Sequence, residues 1–204
     1  MNQLHFIDEN GSFSIEQPEN ISYLYFPLAS EKGIKSSLTP NLGGDSKTDQ
    51  ETFLLEPVSA ENLHNNRSCR NFWLISEKDG VFSATGSSAE QETAKFTDYQ
   101  DKSKITAGFM WHTLERNSSA LSVETQITSF IPVEDNVEIM YITVRNLSGN
   151  TKDMIPYAAV PLYGRSADNI RDHRNVTSML HRIRTNSHGV LVCPTMSFDE
   201  KGHR

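Results

Sequence analysis

Apolar and polar side chains alternate most clearly in residues 121–128. Leu121 and every second residue after it are apolar or Thr, and the residues between them are polar. A period of two puts one set of side chains on a core and the other in water, so the pattern predicts a half-buried strand. We expect it to end by Pro132, whose nitrogen has no hydrogen to donate to a neighbouring strand.

The next two apolar segments have different patterns. Residues 137–144 are apolar at nearly every position and often β-branched, which is typical of a strand buried on both faces. The turn-forming residues 146–150 close this strand. Residues 154–162 are also apolar, but they contain Pro156 and Pro161, so we expect an edge strand or a bulged strand there.

Shorter segments along the rest of the chain add further strands. The dipeptide Asp-Gly at 79–80 predicts a hairpin between residues 71–76 and 80–85. Helix-forming residues gather only in residues 88–95. The other predicted strands are residues 21–26, 52–56, 108–114 and 190–193.

Short strands separated by turns roughly every 8–12 residues indicate an all-β fold. The predicted architecture is a large antiparallel β-sandwich with little helix. The last predicted strand is followed by residues 201–204, which have the composition of a turn. In a complete sandwich such a turn leads into a partner strand, so we expect residues 1–204 to form a single domain that is truncated at its C-terminus.

The net charge and the lack of targeting or membrane segments indicate which partners the protein is expected to have. The 204 residues include 26 acidic and 19 basic side chains, which gives a formal net charge of −7. An acidic surface repels a phosphate backbone, so we expect no nucleic-acid partner. The chain has neither an apolar run long enough for a membrane nor the basic and apolar stretches of a signal peptide. These features predict a cytoplasmic protein with no membrane partner.

Residues 43–48 look at first like a phosphate-binding loop, since two Gly residues are followed by Lys47 and Thr48. However, Ser46 precedes the Lys where the motif requires Gly, and Asn41 stands at the position of the first Gly. The segment therefore predicts a Gly-rich turn.

The remaining polar residues form no recognisable catalytic motif. His173, His181 and His188 lack the spacing of metal ligands, and no Gly-x-Ser-x-Gly elbow occurs. No two carboxylates stand out as the pair that glycoside hydrolysis needs. The sequence therefore predicts no metal site and gives no catalytic residue to name, although composition alone does not exclude a Ser/His/Asp triad.

The two tryptophans allow two interpretations. Trp73 and Trp111 lie in predicted strands, and an aromatic face offers a platform for the C–H groups of a sugar ring. Large aromatic side chains are also common in protein cores, and we favour the core interpretation for both.

An arginine-rich segment stands out in this acidic chain. It covers residues 163–174, and further arginines follow at Arg182 and Arg184. Arginine forks pair with carboxylates, phosphates or vicinal hydroxyls, but arginines are also enriched at protein interfaces. We therefore expect either a substrate contact or an interdomain seam, formed by Arg165, Asp168, Arg171, Asp172, His173 and Arg174.

Several motifs occur in an order that resembles a known family. They are Phe-Pro-Leu at 26–28, Ser-Ser-Leu-Thr-Pro at 36–40, Gly-Asp-Ser-Lys-Thr at 44–48, Phe-Leu-Leu-Glu-Pro at 53–57, Asn-Phe-Trp at 71–73, Gly-Phe-Met-Trp-His at 108–112, and the arginine-rich segment 163–174. Together they resemble the N-terminal β-sandwich region of the cellobiose phosphorylase family, formerly glycosyltransferase family 36. Within it, the chain is most similar to the 1,2-β-oligoglucan phosphorylases.

The resemblance implies an N-terminal supersandwich that precedes a helical linker and a catalytic (α/α) barrel. The barrel of such enzymes carries the general-acid Asp and the phosphate site. They cleave a β-glucosidic bond with inorganic phosphate and invert the anomeric centre, which gives α-glucose 1-phosphate, and they need no cofactor. On this basis we expect a non-catalytic domain of a larger enzyme. Its partners would be a β-glucan oligosaccharide, inorganic phosphate, its own barrel domain and, in a homodimer, a second copy.

Two other functions remain open on the sequence alone. The first is a stand-alone carbohydrate-binding module that uses Trp73 or Trp111 on an exposed face. The second is a structural or dimerisation domain whose apolar and arginine-rich surfaces dock a partner.

Overall fold

The structure is a computed structural model that describes residues 4–21, 24–49, 51–58, 69–165 and 181–194. Within these residues nearly all regular structure is β-strand, which confirms the predicted all-β class. The strands are β1 (His5–Phe6), β2 (Phe13–Glu16), β3 (Phe26–Ala29), β4 (Lys35–Leu38), β5 (Ser46–Lys47), β6 (Phe53–Leu55), β7 (Asn71–Ser76), β8 (Gly80–Ser83), β9 (Lys102–Gly108), β10 (Trp111–Ser118), β11 (Val123–Phe130), β12 (Ile139–Asn146), β13 (Ile155–Ala159), β14 (Arg182–Asn186) and β15 (Gly189–Cys193). A 3-10 turn (Pro18–Asn20) and helix α1 (Ala89–Ala94) complete the described elements.

The strands form antiparallel sheets of different sizes. The largest has six strands in the order β1-β2-β9-β10-β11-β12, and a second has four strands in the order β3-β4-β5-β6. A third sheet has three strands in the order β13-β7-β8, and β14 pairs with β15 as a separate hairpin. One hydrophobic core joins the three larger sheets, since its buried residues come from all of them. This arrangement confirms the predicted sandwich.

A single row of aliphatic side chains shows how alternation builds the core. The strand registers place Ile15, Ile105, Leu114, Ile127 and Ile142 side by side across β2, β9, β10, β11 and β12. The first four are buried, and the fifth packs against the same cluster. Burial of one such side chain stabilises the fold by about 1.5–3 kcal/mol. The row therefore fixes both the register of the sheet and the face that it turns inward.

The predicted strand at residues 137–144 was placed correctly but given the wrong environment. Among the described strands, β12 is the edge of the six-stranded sheet, and all of its residues are exposed or half-buried. Only one face meets the core, through Met140 and Ile142. Tyr141, on the other face, is 64% exposed. An edge strand of a sandwich can be rich in β-branched residues without being covered on both sides.

The predicted strand at residues 108–114 is also wrong, because a hairpin turn divides it. Strand β9 ends at Gly108 and β10 begins at Trp111, and these two residues are paired across the turn. Met110 supplies the positive φ of 61° that such a turn needs, a conformation in which Gly or Asn is usual.

The other short elements agree closely with the sequence patterns. Strands β7 and β8 form the predicted hairpin, and β13 is the predicted edge strand. Helix α1 begins after Ser88, whose side chain accepts a hydrogen bond from the backbone N–H of Gln91. The Gln91 side chain in turn bonds the backbone N–H of Ser88, which completes a capping box. In the predicted strand at residues 21–26, Phe26 begins β3, residues 21, 24 and 25 are not in a strand, and residues 22 and 23 lie outside the described residues.

Candidate functional site

Of the six residues predicted as a contact site, only Arg165 lies within the described part of the chain. Its backbone pairs with β6: the N–H of Phe53 donates to its carbonyl at 2.7 Å, and its own N–H donates back at 3.1 Å. The Arg165 side chain is 1% exposed, so it faces the protein and not the solvent. Asp168, Arg171, Asp172, His173 and Arg174 lie outside the described residues, and their grouping stays a prediction.

The hairpin β14–β15 meets the chain next to Arg165. Gly164 has a φ of +68°, and a Cβ there would overlap the ring of Pro194 and lie 3.7 Å from His181. Burial lowers the pKa of His181, and the positive charge of Arg165 lowers it further. Arg165 and His181 therefore lie close together beside the tightly packed Gly164, and His181 loses its proton more readily than a free histidine.

An ion pair inside the sandwich connects segments that are far apart in the sequence. The Arg70 guanidinium pairs with the Glu138 carboxylate through two nitrogens, one of which makes a 2.9 Å hydrogen bond. The same guanidinium donates to the backbone carbonyls of Gly44 at 3.3 Å and Asp45 at 3.1 Å. Residues 43–48 thus turn carbonyl oxygens towards an arginine, which agrees with a Gly-rich turn and not with a cradle of N–H groups for phosphate.

The carboxylate of Glu138 also accepts a hydrogen bond from the Ser36 hydroxyl, whose oxygen lies 2.9 Å from the hydroxyl oxygen of Ser46. Strands β4 and β5, the turn between them and the segment before β12 are therefore tied to one carboxylate. Buried charges are tolerated when hydrogen bonds satisfy them in this way.

His112 lies beside this ion pair and is fully buried. Its ring stacks on Phe26 with 5.0 Å between ring centroids and an angle of 5°. Neither ring nitrogen has a hydrogen-bond partner among the described residues. Burial, with a further contribution from Arg70, lowers the pKa of His112 to about 4, although Glu138 acts in the opposite direction. The ring is therefore neutral at physiological pH.

A second buried arginine fastens the 3-10 turn to the large sheet. Arg116 donates to Glu19 at 3.0 Å, and the other carboxylate oxygen of Glu19 accepts from Ser103 at 2.6 Å. Gly86 lies against the Arg116 guanidinium, and a Cβ at Gly86 would overlap that guanidinium. Sequence reasoning missed this arginine, although it follows the core residue Leu114 by two positions on the same strand and so falls on the inward face.

A polar groove of about 910 Å³ opens among the described residues. The β7–β8 turn, the β10–β11 turn and the connection from β12 to β13 form its walls. Across it, the Lys152 ammonium contacts the Asp79 carboxylate at 2.9 Å. The hydrogen bond from Lys152 lowers the pKa of Asp79. The lining residues are Ile75, Ser76, Glu77, Lys78, Asp79, Ala120, Ser122, Ser148, Asn150, Thr151, Lys152, Asp153, Met154 and Ile155.

The core interpretation of the two tryptophans is not supported. Trp73 and Trp111 are both half-buried, and neither is a member of the hydrophobic core cluster. Trp73 lies on the opposite face of β7 from the core residue Leu74. The Trp111 indole packs over its own hairpin turn, against Gly108.

Two further findings bear on the kind of site. The described residues include no group of three or more His, Cys, Asp or Glu side chains that is placed to hold a metal ion. In the same part of the chain, no helix has the length and apolar character needed to cross a bilayer.

The antiparallel sheets, their common core and the buried ion pairs define an all-β supersandwich domain with a closed interior. Over residues 37–202 the chain matches the family model described as glycosyl hydrolase 94, supersandwich domain, so it belongs to that family. This domain is an N-terminal domain of the phosphorylases of that family. A search of curated proteins found no match.

Proposed function

We propose that this chain is the non-catalytic N-terminal domain of an inverting glycoside phosphorylase that acts on β-linked glucans. The supporting observation is the family match, which covers residues 37–202 and agrees with the supersandwich fold. Within this class, the motifs that resemble 1,2-β-oligoglucan phosphorylases favour a β-1,2-linked substrate.

The carboxylates named above fit a domain that does not supply the general acid. Phosphorolysis needs a general acid that stays protonated near neutral pH to protonate the leaving oxygen. Asp79 lies in the groove, but its pKa is lowered by Lys152, which keeps it ionised. Glu138 and Glu19 are each held by a buried arginine as structural counter-ions. In this proposal the acid and the phosphate site belong to a barrel domain that the longer protein supplies.

The assay needs the longer protein that contains this chain and the coding sequence after it. With a β-1,2-linked gluco-oligosaccharide and inorganic phosphate, we expect release of α-glucose 1-phosphate, measured by a coupled phosphoglucomutase assay. The 204-residue chain alone is expected to release none. Absence of phosphate-dependent release from every β-linked glucan would refute the proposed class. Release only from β-1,3- or β-1,4-linked chains would refute the linkage and leave the class intact.

A further inference from the structure

The outer face of the three-stranded sheet carries a compact patch of aromatic and aliphatic side chains. The registers place Tyr157 beside Trp73 on neighbouring strands, and they place Ile155, Ile75 and Val81 side by side in the adjacent row. Directly opposed residues of antiparallel strands have Cβ atoms about 4.5–5.5 Å apart, so the two aromatic side chains are immediate neighbours. We call these five residues the outer patch.

The outer patch is open to solvent. Tyr157 is 52% exposed, Ile155 and Val81 are also exposed, and Trp73 and Ile75 are half-buried. On β7 and β8 the alternate residues Leu74 and Phe82 point into the core, whereas every residue of β13 is exposed. The patch is thus a distinct surface and not the rim of the interior.

The two ends of the outer patch are different. At one end the sheet is covered by helix α1 and the loop before it: Asn71 donates to Ser87 at 2.7 Å, and the backbone N–H of Ser83 donates to the Gln91 side chain at 3.1 Å. At the other end Ile75 and Ile155 are also lining residues of the polar groove. An aromatic surface therefore continues directly into a groove lined with hydroxyl, amide and charged groups.

The charge of the groove favours a neutral ligand. Its lining includes three carboxylates, from Glu77, Asp79 and Asp153, and two ammonium groups, from Lys78 and Lys152, so its net charge is −1. Asp79 and Lys152 neutralise each other directly. A strongly charged partner would gain little from this surface, whereas hydroxyl groups find both donors and acceptors there.

The size of the outer patch argues against a protein partner. Specific protein interfaces use about 20–30 residues on each side, and their centres are apolar. Here five apolar side chains border on helix α1 at one end and on polar groups at the other. A sugar chain matches this combination, because each ring has an apolar C–H face that packs on aromatic rings and a rim of hydroxyl groups.

We propose that the outer patch and the polar groove together form a glucan-binding surface. A β-linked gluco-oligosaccharide lies with its ring faces on Trp73 and Tyr157, and its hydroxyl groups bond the groove around Asp79 and Lys152. This inference rests on the proposed function for the linkage of the sugar. Its role is to hold the substrate chain on this domain.

The first experiment titrates the 204-residue chain with a β-1,2-linked glucopentaose by calorimetry, with maltopentaose as the α-linked comparison. We expect saturable binding of the β-linked sugar. In a Trp111→Phe variant Trp73 is the remaining tryptophan, so its emission should shift on addition of the sugar. A chain that binds none of the β-1,2-, β-1,3- and β-1,4-linked pentasaccharides would overturn the inference.

Matched variants locate the surface. Tyr157→Ala should raise the dissociation constant about tenfold or more, because it removes one ring of the platform. Tyr157→Phe keeps the ring and should bind nearly as wild type. Tyr141→Ala is the control, since Tyr141 is also an exposed tyrosine on an edge strand but lies on the large sheet. Unchanged affinity in Tyr157→Ala, or an equal loss in Tyr141→Ala, would overturn the assignment.

The outcomes separate this inference from the proposed function. If the longer protein releases glucose 1-phosphate but the outer patch binds no glucan, the glucan-binding surface is refuted and the function stands. If the chain binds glucan through Tyr157 but the longer protein shows no phosphorolysis, the surface stands and the function is refuted. If size-exclusion chromatography shows a dimer that Tyr157→Ala dissociates, and no sugar binds, the patch is a protein interface and the inference is refuted.

Discussion

The Arg70–Glu138 pair in the interior and the Asp79–Lys152 pair in the polar groove are chemically similar but differ in exposure and in the number of groups that they hold. Arg70 is buried and also holds two backbone carbonyls, while Glu138 is held by Ser36 as well. Lys152 and Asp79 meet across an open groove, where Asp79 is about one-third exposed. The first pair connects separate parts of the chain, whereas the second joins two surface turns.

The fold depends more on the interior charges than on those of the groove. Removal of one partner of a buried pair leaves the other charge without compensation, whereas water replaces a missing partner at the surface. The interior pair therefore limits the sequence of the scaffold, whereas the groove pair can be replaced at little cost to the fold. Loops at the edge of a rigid scaffold are the usual place for binding residues.

The largest effect is expected when the interior pair is broken. Glu138→Ala leaves the Arg70 guanidinium buried without its carboxylate, so the free energy of unfolding should fall by about 3–5 kcal/mol. Urea denaturation followed by circular dichroism measures it. Glu124→Ala is the matched control, because Glu124 pairs with the exposed Arg145 at 3.1 Å. Equal losses in the two variants would show that burial does not distinguish these pairs.

A substitution in the turn that Arg70 holds should lower the free energy of unfolding nearly as much. Gly44 has a φ of +105°, and a Cβ there would overlap the carbonyl oxygen of Ser37 on β4. Gly44→Ala should therefore destabilise the protein by about 3 kcal/mol more than Gly11→Ala. Gly11 is a suitable control, since it also has a positive φ of +87° but has open space around its Cβ position. Similar melting temperatures for the two variants would contradict the tight contact at Gly44.

Acid should weaken the interior through His112. Its pKa is about 4 in the folded protein against 6.5 as its ordinary value, so the unfolded chain binds the extra proton first as the pH falls. This contribution to stability is complete above about pH 6.5 and is lost progressively down to about pH 4, by about 3 kcal/mol in total. Denaturation curves across this range measure the slope.

His112→Phe provides the control for the acid effect, because it keeps an aromatic ring on Phe26 and cannot be protonated. The part of the slope that belongs to His112 should disappear in this variant. A wild-type slope that persists unchanged would assign the acid sensitivity to other groups.

The same comparison explains what sequence patterns could and could not predict. Strand β11 was predicted well, because strict alternation marks a strand with one buried face. Strand β12, its neighbour, has a denser apolar pattern but lies at the edge, and edge position depends on the order of strands in space. The turn at Met110 was missed because it uses a residue that rarely takes a positive φ.

For the candidate site, too, patterns along the chain did not predict which side chains lie together in space. The arginine-rich segment was conspicuous in composition, yet its described member, Arg165, is buried. Trp73 and Tyr157 become neighbours only through the pairing of β7 with β13, which are about eighty residues apart in sequence. A pattern along the chain finds single aromatic residues, but the register between distant strands decides which of them share a surface.

The smallest effect on stability is expected at the groove, in Lys152→Ala. Loss of the half-buried Lys152 should leave the denaturant midpoint nearly unchanged, since water reaches the freed Asp79 carboxylate, which is about one-third exposed. The pKa of Asp79 should nevertheless rise towards its ordinary value, because the hydrogen bond from Lys152 is the main cause that lowers it. Carboxyl chemical shifts in an NMR titration follow Asp79 directly. A clear loss of stability, or an unchanged pKa of Asp79, would mean that the groove pair belongs to the scaffold after all.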